Sequence, residues 1–401
     1  MLKSTILEVI DLQKERNEVA EPGISRELLS EISLTGGHIK IISGIRRCGK
    51  STLMRQLIGE DSNCLFLNFE DPKLTGFDLK DFNRLDEIIK EQGLRNIYFD
   101  EIQIVPEWER YIRALHDEDY AVFLTGSNAS MLSIELGTKL TGRYIPKELL
   151  PFSYREFLTF SNQVASADSA VDFLCRGGFP EYLKYGDEDI LHQILYDIIY
   201  RDISVRYQVK RHETLKQLAI YLITNVSKTL SYNQLRKTFE LGSATTAIDF
   251  LSYFQNSYLL FAIPLFDFSL KKQIYNPKKV YAIDTGLAGA NSLSFSKDTG
   301  RKLENAVFLH LRRDHDRIFY FGASGECDFV VQDEGPVFRC FQVCSRLDEE
   351  NLTREIKGIT EAMNYTGTSS GNIITLDQED EFEKDGLVIH AIPFWKWAGT
   401  E

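Results

Sequence analysis

The stretch Gly44-Ile-Arg-Arg-Cys-Gly-Lys-Ser51 decides the fold of this 401-residue chain. It has the pattern G-x-x-x-x-G-K-S, follows the apolar run 39–42 and opens a segment, 52–58, with helical spacing. A strand, a glycine-rich loop and a helix in this order form a phosphate-binding loop, in which backbone N–H groups and the helix N-terminus face the phosphate. The alternative is an ordinary glycine-rich turn, which the strand–loop–helix context disfavours.

The loop predicts a ligand class, a nucleoside triphosphate with Mg²⁺. Lys50 is expected to reach the β- and γ-phosphates, and the Ser51 hydroxyl is expected to ligate Mg²⁺. The side chains of Arg46 and Arg47 could contact phosphate, adenine or a partner acid, and the sequence leaves these alternatives open. The predicted nucleotide-binding residues are Gly44, Ile45, Arg46, Arg47, Cys48, Gly49, Lys50, Ser51 and Thr52.

A second motif, Asn96-Ile-Tyr-Phe-Asp-Glu101, is an apolar strand that ends in two acids. This is the Walker B arrangement, in which Asp100 would hold Mg²⁺ through water and Glu101 would polarise the attacking water. By itself the run is equally compatible with an ordinary buried strand that is followed by a solvated turn and has no catalytic role. Its position downstream of the phosphate-binding loop favours the catalytic interpretation.

Two further segments of the sequence carry candidates for sensing the γ-phosphate. The apolar strand 121–125 leads into Gly126-Ser-Asn128, where Asn128 is the first choice for a polar sensor and Ser127 or Thr125 the next. Arg143 could neutralise charge on the transferring phosphoryl group, in cis or from a neighbouring subunit. A structural ion pair is an equally good interpretation of Arg143.

Composition limits the remaining possibilities. A net charge of −13 argues against a generally sticky nucleic-acid binder, although a local basic face stays possible. The chain has no apolar stretch of membrane-spanning length, and its first residues do not resemble a signal peptide, so we expect a cytoplasmic location without membrane contact. The six cysteines are scattered, which disfavours a disulfide framework or a zinc site.

The chain resembles prokaryotic AAA-type ATPases that carry a C-terminal DUF4143 domain. The loop matches their G-x-R-R-x-G-K-S/T pattern, and the resemblance runs from about residue 20 to near the end. It implies ATP as the nucleotide, an ATPase core, a winged helix and a restriction-endonuclease-like domain. The other matching stretches are Asp100-Glu-Ile-Gln103, Leu124-Thr-Gly-Ser127, Leu140-Thr-Gly-Arg143, Pro151-Phe-Ser-Tyr-Arg-Glu-Phe157, Gly177-Gly-Phe-Pro180 and Tyr200-Arg-Asp202.

The expected fold class is therefore α/β, with a parallel P-loop NTPase sheet at residues 1–160, since strand-forming and helical segments alternate there. A helical linker or lid is expected at 161–210, a winged helix at 211–290 and the restriction-endonuclease-like DUF4143 domain at 291–401.

The middle region combines helical patterns with a basic face. Three short helices followed by a hairpin at 258–263 and 279–283 predict a winged helix, a helix-turn-helix variant. Its third helix carries no Lys or Arg, which makes it a poor reader of phosphates. Contact with double-stranded DNA and a role as a lid or protein-docking element are equally supported. The basic residues are Arg201, Arg206, Lys210, Arg211, Lys216, Lys228, Arg236 and Lys237.

The C-terminal pattern of helix, three strands, helix and strand matches a nuclease core with an altered site. Asp328 takes the place of the acid on the second strand, and Glu304 could support it. The E-x-K position on the third strand holds Gln342 and Cys344, which are a poor Mg²⁺ ligand and a neutral thiol. Lys357 could substitute from a displaced position, but nuclease activity is disfavoured.

The sequence thus predicts an ATPase that converts ATP to ADP and phosphate and acts as a nucleotide-controlled switch on DNA or a protein partner. The alternative is an ATP-controlled Mg²⁺-dependent DNA nuclease. An oligomer is possible because an arginine that acts in trans would require one.

Overall fold

The computed structural model describes residues 1–33, 37–59, 61, 63–127, 139–140, 142–293, 298–333 and 335–400. The chain divides into two compact units, Met1–Leu150 and Pro151–Glu401. The finer boundaries expected from the sequence, at residues 160, 210 and 290, stay predictions.

The first unit alternates strands and helices. Its strands are β1 (Ile39–Ser43), β2 (Cys64–Asn68), β3 (Asn96–Asp100), β4 (Ala121–Gly126) and β5 (Tyr144–Glu148). Its α-helices are α1 (Lys3–Val19), α2 (Lys50–Ile58), α3 (Asp81–Gln92) and α4 (Trp108–Asp117), with 3₁₀ turns at Glu27–Glu31, Pro72–Leu74 and Ile102–Ile104.

The five strands form one parallel sheet in the order β2-β3-β4-β1-β5. Strand β1 is buried at every position, as its unbroken apolar run predicts for an inner strand of a parallel sheet. Strand β4 lies between β1 and β3, so the phosphate-binding loop and the paired acids are separated by one strand. The parallel sheet of the P-loop NTPase core, predicted from the sequence, is confirmed.

Helix α1 covers the edge of this sheet. Its residues Ile6, Val9 and Ile10 belong to the hydrophobic core of the unit. At the end of β2, the side chain of Gln13 bonds the edge backbone twice: Nε2 donates to Asn68 O at 3.1 Å, and Oε1 accepts from Asn68 N at 2.7 Å. The helix therefore supplies hydrogen-bond partners that an edge strand otherwise lacks.

The second unit begins with helices and ends in a mixed sheet. Its helices are α5 (Tyr154–Ser161), α6 (Ala167–Arg176), α7 (Pro180–Tyr185), α8 (Asp189–Asp197), a π-helix (Ile198–Ser204), α9 (His212–Thr224), α10 (Tyr232–Thr238), α11 (Ala244–Asn256), α12 (Leu270–Tyr275), α13 (Thr285–Asn291), α14 (Thr299–Asp314), α15 (Leu352–Thr366) and α16 (Phe394–Trp397). Its strands are β6 (Thr229–Leu230), β7 (Leu260–Ile263), β8 (Lys278–Ala282), β9 (Ile318–Gly322), β10 (Glu326–Gln332), β11 (Phe338–Val343), β12 (Ser370–Thr375), β13 (Asp380–Lys384) and β14 (Leu387–Pro393).

Two sheets organise the second unit. Strands β6, β8 and β7 form a three-stranded antiparallel sheet in that order, next in sequence to helices α9, α10 and α11. Strands β9 to β14 form a six-stranded mixed sheet in the order β13-β14-β12-β11-β10-β9. A further α/β sheet domain is confirmed, and the structure adds β6, α12, β13 and β14 to the elements that the sequence patterns indicate. The more specific winged-helix and restriction-endonuclease-like interpretations stay predictions.

A buried carboxylate joins distant parts of the second unit. Asp284 accepts hydrogen bonds from Gly178 N at 2.6 Å and from Leu287 N at 2.7 Å, the latter at the start of α13. Burial raises the pKa of Asp284 to about 6, although these backbone amides act in the opposite direction. This contact gives a physical reason for the glycine pair at 177–178, since a Cβ on Gly177 would lie 2.3 Å from the carboxylate.

Within the residues that the structure describes, no helix combines the length and apolar character that crossing a membrane requires.

Candidate nucleotide-binding site

The loop between β1 and α2 is shaped by its glycines. A Cβ on Gly44 would lie 2.1 Å from the carbonyl oxygen of Leu149, so no other residue fits beside the chain that follows β5. Gly49 has a φ of 103°, in the left-handed region that glycine favours, and it directly precedes α2. Because the N-cap residue is a glycine, it offers no side-chain cap of its own, and the backbone N–H groups at the start of α2 suit an anion.

The ammonium of Lys50 lies inside the loop. Its Nζ donates to the backbone carbonyls of Gly44 and Ile45, each at 3.1 Å, and lies 3.5 Å from Glu101 Oε1. The Lys50 side chain is only 5% exposed. Burial by itself lowers the pKa of Lys50, but the nearby Glu101, Cys48 and Asp100 groups raise it above the ordinary value. Lys50 therefore stays charged where phosphate oxygens would enter.

Asp100 is fully buried at the end of β3 and bonded by three neighbouring side chains. The Ser51 hydroxyl donates to Asp100 Oδ2 at 2.7 Å, and Asn68 Nδ2 donates to the same oxygen at 2.9 Å. The Thr125 hydroxyl, at the end of β4, donates to Oδ1. Polar residues from the carboxyl ends of β2, β3 and β4 thus meet the first turn of α2 at one edge of the sheet.

Glu101 follows Asp100 in a strained backbone conformation, with a φ of 53°. Its backbone N–H donates to Thr125 Oγ1 at 3.1 Å, and its side chain accepts from Gln103 Nε2. The Ser127 side chain also hydrogen-bonds the Glu101 carboxylate. Strain of this kind persists only where surrounding contacts hold it and is frequent at active sites.

The two acids differ in their electrostatics. Burial and the neighbouring Glu101 carboxylate raise the pKa of Asp100, against the opposing hydrogen bonds of Thr125 and Ser51. Burial also acts to raise the pKa of Glu101, but Lys50, Gln103 and other donors outweigh it, and the net shift is downward. The net downward shift favours the ionised form of Glu101, which a general base requires.

The donor set at this edge suits Mg²⁺. The Ser51 hydroxyl and the Asp100 carboxylate are hard oxygen ligands within 2.7 Å of each other. Magnesium keeps several waters and binds through one or two protein groups together with substrate phosphates. The residues present thus fit the ion that the sequence predicts.

The remaining loop residues differ in what they can offer a nucleotide. Ile45 and Cys48 are fully buried, so only their backbone groups are accessible. Arg46 Nη1 lies 3.5 Å from Glu70 Oε1. Of the three contacts considered for this arginine, the structure therefore shows the one with an acidic side chain. Arg47 is exposed with a φ of 63°.

Thr52 lies one residue beyond Ser51, on the first turn of α2. Its hydroxyl accepts a hydrogen bond from Arg55 Nη2 at 3.1 Å. Asn128, the first choice for the γ-phosphate sensor, lies outside the described residues, whereas the second choices Thr125 and Ser127 both contact the paired acids.

Arg143 lies at the opposite edge of the sheet. It immediately precedes β5, and its carbonyl accepts a hydrogen bond from the N–H of Ile39, the first residue of β1. Its guanidinium pairs with Asp117 Oδ1 at 3.1 Å. The full length of β1 separates Arg143 from the loop, about 16 Å for five residues. This placement speaks against a role in cis and agrees with the structural ion pair; a role in trans stays a prediction.

Arg26 is a buried contributor that sequence reasoning missed. Its Nη1 donates to Cys48 O at 2.8 Å, and its Nη2 donates to Leu150 O at 2.7 Å. The guanidinium thereby fixes the phosphate-binding loop to the chain after β5. No local motif marks Arg26. Asn68 was also missed, although a polar residue that ends an apolar strand gave a usable signal.

A cavity of 790 Å³ in the same unit is distinct from this site. It lies beside the second half of α2, and none of the residues 44–51 line it. Its walls include Ile10, Lys14, Arg55, Gln56 and Phe66.

Two family models match parts of this chain. Residues 36–158 match the family described as an AAA domain, and residues 167–298 match a domain of unknown function, DUF8612. The expected DUF4143 domain is therefore not confirmed. Among solved structures, AMPPCP-bound DnaA from Aquifex aeolicus is 13% identical, covering 62% of this chain and 88% of DnaA, with a TM-score of 0.29. Cdc6p from Pyrobaculum aerophilum is 14% identical, covering 59% of this chain and 84% of Cdc6p, with a TM-score of 0.26.

Two relatives align over most of their length. An uncharacterized protein of Haemophilus influenzae is 32% identical, covering 89% of this chain and 94% of the relative. The uncharacterized protein MJ1544 of Methanocaldococcus jannaschii is 35% identical, covering 94% of this chain and 91% of the relative. The chain therefore belongs to the same protein family as MJ1544 and carries an AAA domain of the P-loop ATPase type.

Proposed function

We propose that this protein hydrolyses ATP to ADP and phosphate and acts as a nucleotide-controlled switch. Two contacts between the phosphate-binding loop and the end of β3 carry the proposal. Lys50 lies beside Glu101, and the Ser51 hydroxyl donates to Asp100. A general base beside a charged lysine and a hydroxyl–carboxylate pair has the composition that phosphoryl transfer to water requires.

Each side chain has a distinct role in this proposal. The backbone N–H groups at the start of α2 bind phosphate oxygens, and Lys50 exchanges its contacts with Gly44 and Ile45 for the β- and γ-phosphates. Glu101, ionised and anchored by Thr125 and Gln103, accepts a proton from the attacking water.

Ser51 and Asp100 would hold the Mg²⁺ of the Mg²⁺–ATP complex. Bound there, the ion would neutralise charge on the phosphate oxygens. Thr125 and Asn68 orient the Asp100 carboxylate toward that role through their hydrogen bonds.

The switch acts on double-stranded DNA or on a protein partner in the cytoplasm. Exposed basic residues support the DNA alternative, since Lys and Arg neutralise backbone phosphates without reading sequence. They lie in the part of the second unit that contains α9 and α10. The exposed members are Arg201, Arg206, Lys210, Arg211, Lys228 and Lys237.

The deciding experiment is steady-state ATP hydrolysis by the wild type and Glu101→Gln, each with and without duplex DNA. Glu101→Gln should retain ATP binding and lose hydrolysis by about a hundredfold or more, because an amide cannot accept the proton. Stimulation by DNA supports the DNA-directed switch, and hydrolysis indifferent to DNA supports the protein-directed one. Undiminished hydrolysis in Glu101→Gln would remove Glu101 from the catalytic role.

Nucleotide binding is tested separately with Lys50→Ala. This variant should weaken ATP binding by about tenfold to a hundredfold, which corresponds to the loss of one or two charge-assisted hydrogen bonds. Lys40→Ala, on β1 but outside the loop, is a matched control with unchanged affinity. Wild-type affinity in Lys50→Ala would contradict the nucleotide-binding assignment itself.

A further inference from the structure

A buried lysine lies among three carboxylates in the second unit. Lys279, on β8, has its ammonium 2.7 Å from Asp328 Oδ1, 2.9 Å from Glu304 Oε1 and 2.9 Å from Glu326 Oε1. The lysine side chain is 3% exposed. Asp328 and Glu304 are the two acids that the sequence assigned to the metal site of a nuclease-like domain.

Asp328 and Glu304 both already accept hydrogen bonds from groups within the protein. Asp328 Oδ2 accepts from Val343 N at 2.9 Å. Glu304 Oε1 accepts from the Tyr281 hydroxyl at 2.8 Å, in addition to its contact with Lys279. The two ligands that a divalent ion would need most are thus held by internal donors.

The third-strand position contributes no charge. The amide of Gln342 accepts from Asp328 N at 3.1 Å and donates to Glu355 Oε2 at 2.6 Å. Its oxygen and nitrogen therefore both have partners inside the domain. The Cys344 thiol donates to Arg346 O, and Lys357 donates to Ser324 O, so neither replaces the missing lysine of the E-x-K pattern.

An ammonium and a divalent cation compete for this place. The Lys279 ammonium lies within hydrogen-bond distance of all three carboxylates, and these ion pairs favour the charged form of the buried lysine. A divalent cation placed beside that ammonium would meet Coulomb repulsion, which is stronger in a buried site than in water. The residues present therefore do not fit the Mg²⁺ of an active nuclease.

We propose that the ammonium of Lys279 occupies the position of the divalent cation, so that this domain is a metal-independent structural element. The lysine comes from β8, whereas the acids come from α14 and β10. The contact joins the three-stranded sheet to the six-stranded sheet through charge. A fold that resembles a nuclease core is thereby stabilised without the ion.

The test is to remove the internal cation and supply an external one. Lys279→Met should lower the melting temperature, because it leaves buried carboxylates without a partner. Mn²⁺ at about a hundredfold excess over its Kd should then raise the melting temperature of this variant by about 5 °C. In the wild type we expect no Mn²⁺ stabilisation that depends on the acidic cluster. Lys278→Met, on the same strand but bonded to Gln273 O, is the matched control and should show no such Mn²⁺ response.

Two results would overturn the proposal. One is a folded Lys279→Met protein whose stability does not respond to Mn²⁺. The other is Mn²⁺ binding or Mn²⁺-dependent plasmid nicking by the wild type that Asp328→Asn abolishes, which would make Lys279 a partner of a working metal site. The comparison of the wild type with Asp328→Asn decides the question even if Lys279→Met does not fold. Mn²⁺ binding that Asp328→Asn leaves unchanged belongs to another site, such as the phosphate-binding loop.

Discussion

The hydroxyl of Thr125 bonds both acids that end the neighbouring strand: it donates to the carboxylate of Asp100 and accepts from the backbone N–H of Glu101 at 3.1 Å. One side chain at the end of β4 therefore fixes the orientation of the predicted metal ligand and the conformation of the predicted base. Because β4 lies between β1 and β3, this contact also connects the acids to the strand beside the phosphate-binding loop.

Thr125→Val should uncouple binding from hydrolysis. The variant keeps the shape of threonine but loses both hydrogen bonds. The bond to the Asp100 carboxylate contributes about 1.5–3 kcal/mol, and the bond from the backbone N–H of Glu101 about 0.5–1.5 kcal/mol. We expect kcat to fall about 10- to 100-fold while the Kd for ATP changes less than about threefold. Thr75→Val, where the hydroxyl donates to Pro72 O on the surface, is the control. Equal loss of binding and hydrolysis would show that Thr125 acts on the loop and not on the acids.

Arg26→Met should destabilise the first unit. The substitution leaves the carbonyls of Cys48 and Leu150 without their buried donors. We expect the free energy of unfolding to drop by about 3 kcal/mol, measured by urea denaturation. Arg16→Met is the comparison, since Arg16 is 72% exposed and lies 4.0 Å from Asp71; it should change stability by less than about 0.5 kcal/mol. A similarly small change in Arg26→Met would contradict the proposed clamp on the loop.

Arg143→Met should leave basal hydrolysis almost intact. Its guanidinium pairs with Asp117 at the edge of the sheet opposite the loop. The ion pair is well exposed, so we expect kcat and the Kd for ATP to stay within about twofold of the wild type. Asp117→Asn should behave in the same way. A large loss in Arg143→Met alone, greater at higher protein concentration, would show instead that a neighbouring copy supplies this arginine.

Asp284 should make stability depend on pH in an uncommon direction. Its pKa is about 6 in the folded protein and near 3.8 when unfolded, so the folded state binds the proton more readily. The contribution of this group to the free energy of unfolding therefore falls as pH rises from about 4 to 6, by up to about 3 kcal/mol. Asp284→Asn, which still caps α13, removes this dependence. The measurement is the difference in unfolding free energy between wild type and variant across that range.

Asp267 provides the control of opposite sign. The backbone N–H of Ser269 and the side chain of Lys272 lower the pKa of Asp267, which is half-buried. Its small contribution is present above pH 4 and is lost as pH falls below about 4. A pH-independent difference between wild type and Asp284→Asn would mean that the carboxylate titrates normally despite its burial.

The sequence could predict the nucleotide site because its main parts are contiguous motifs. Loop, lysine and hydroxyl come from eight consecutive residues, and the acid pair ends one strand. The positions of Thr125 and Asn68 at this site could be predicted in the same way, since both lie near the ends of apolar strands in a parallel sheet. Arg143 was harder because its role depends on which edge of the sheet it occupies. It directly precedes a strand, whereas the other candidates lie where strands end.

Contacts between distant segments lay beyond sequence reasoning. Lys279 meets Asp328 across 49 residues, and Arg26 meets Leu150 across 124. Neither lysine nor arginine stands in a recognisable pattern at these positions. The sequence offers Lys357 as a displaced lysine for the C-terminal domain, whereas the fold brings Lys279 of β8 to the acids.

Gln13 of helix α1 also protects the edge of the parallel sheet. Its amide satisfies both backbone groups of Asn68 at the outer strand of the parallel sheet. An outer strand with unbonded peptide groups can pair with a strand of another molecule, which is the first step of domain swapping and aggregation. By occupying that register position, a single glutamine makes the border of the sheet unreceptive to a foreign β-strand there.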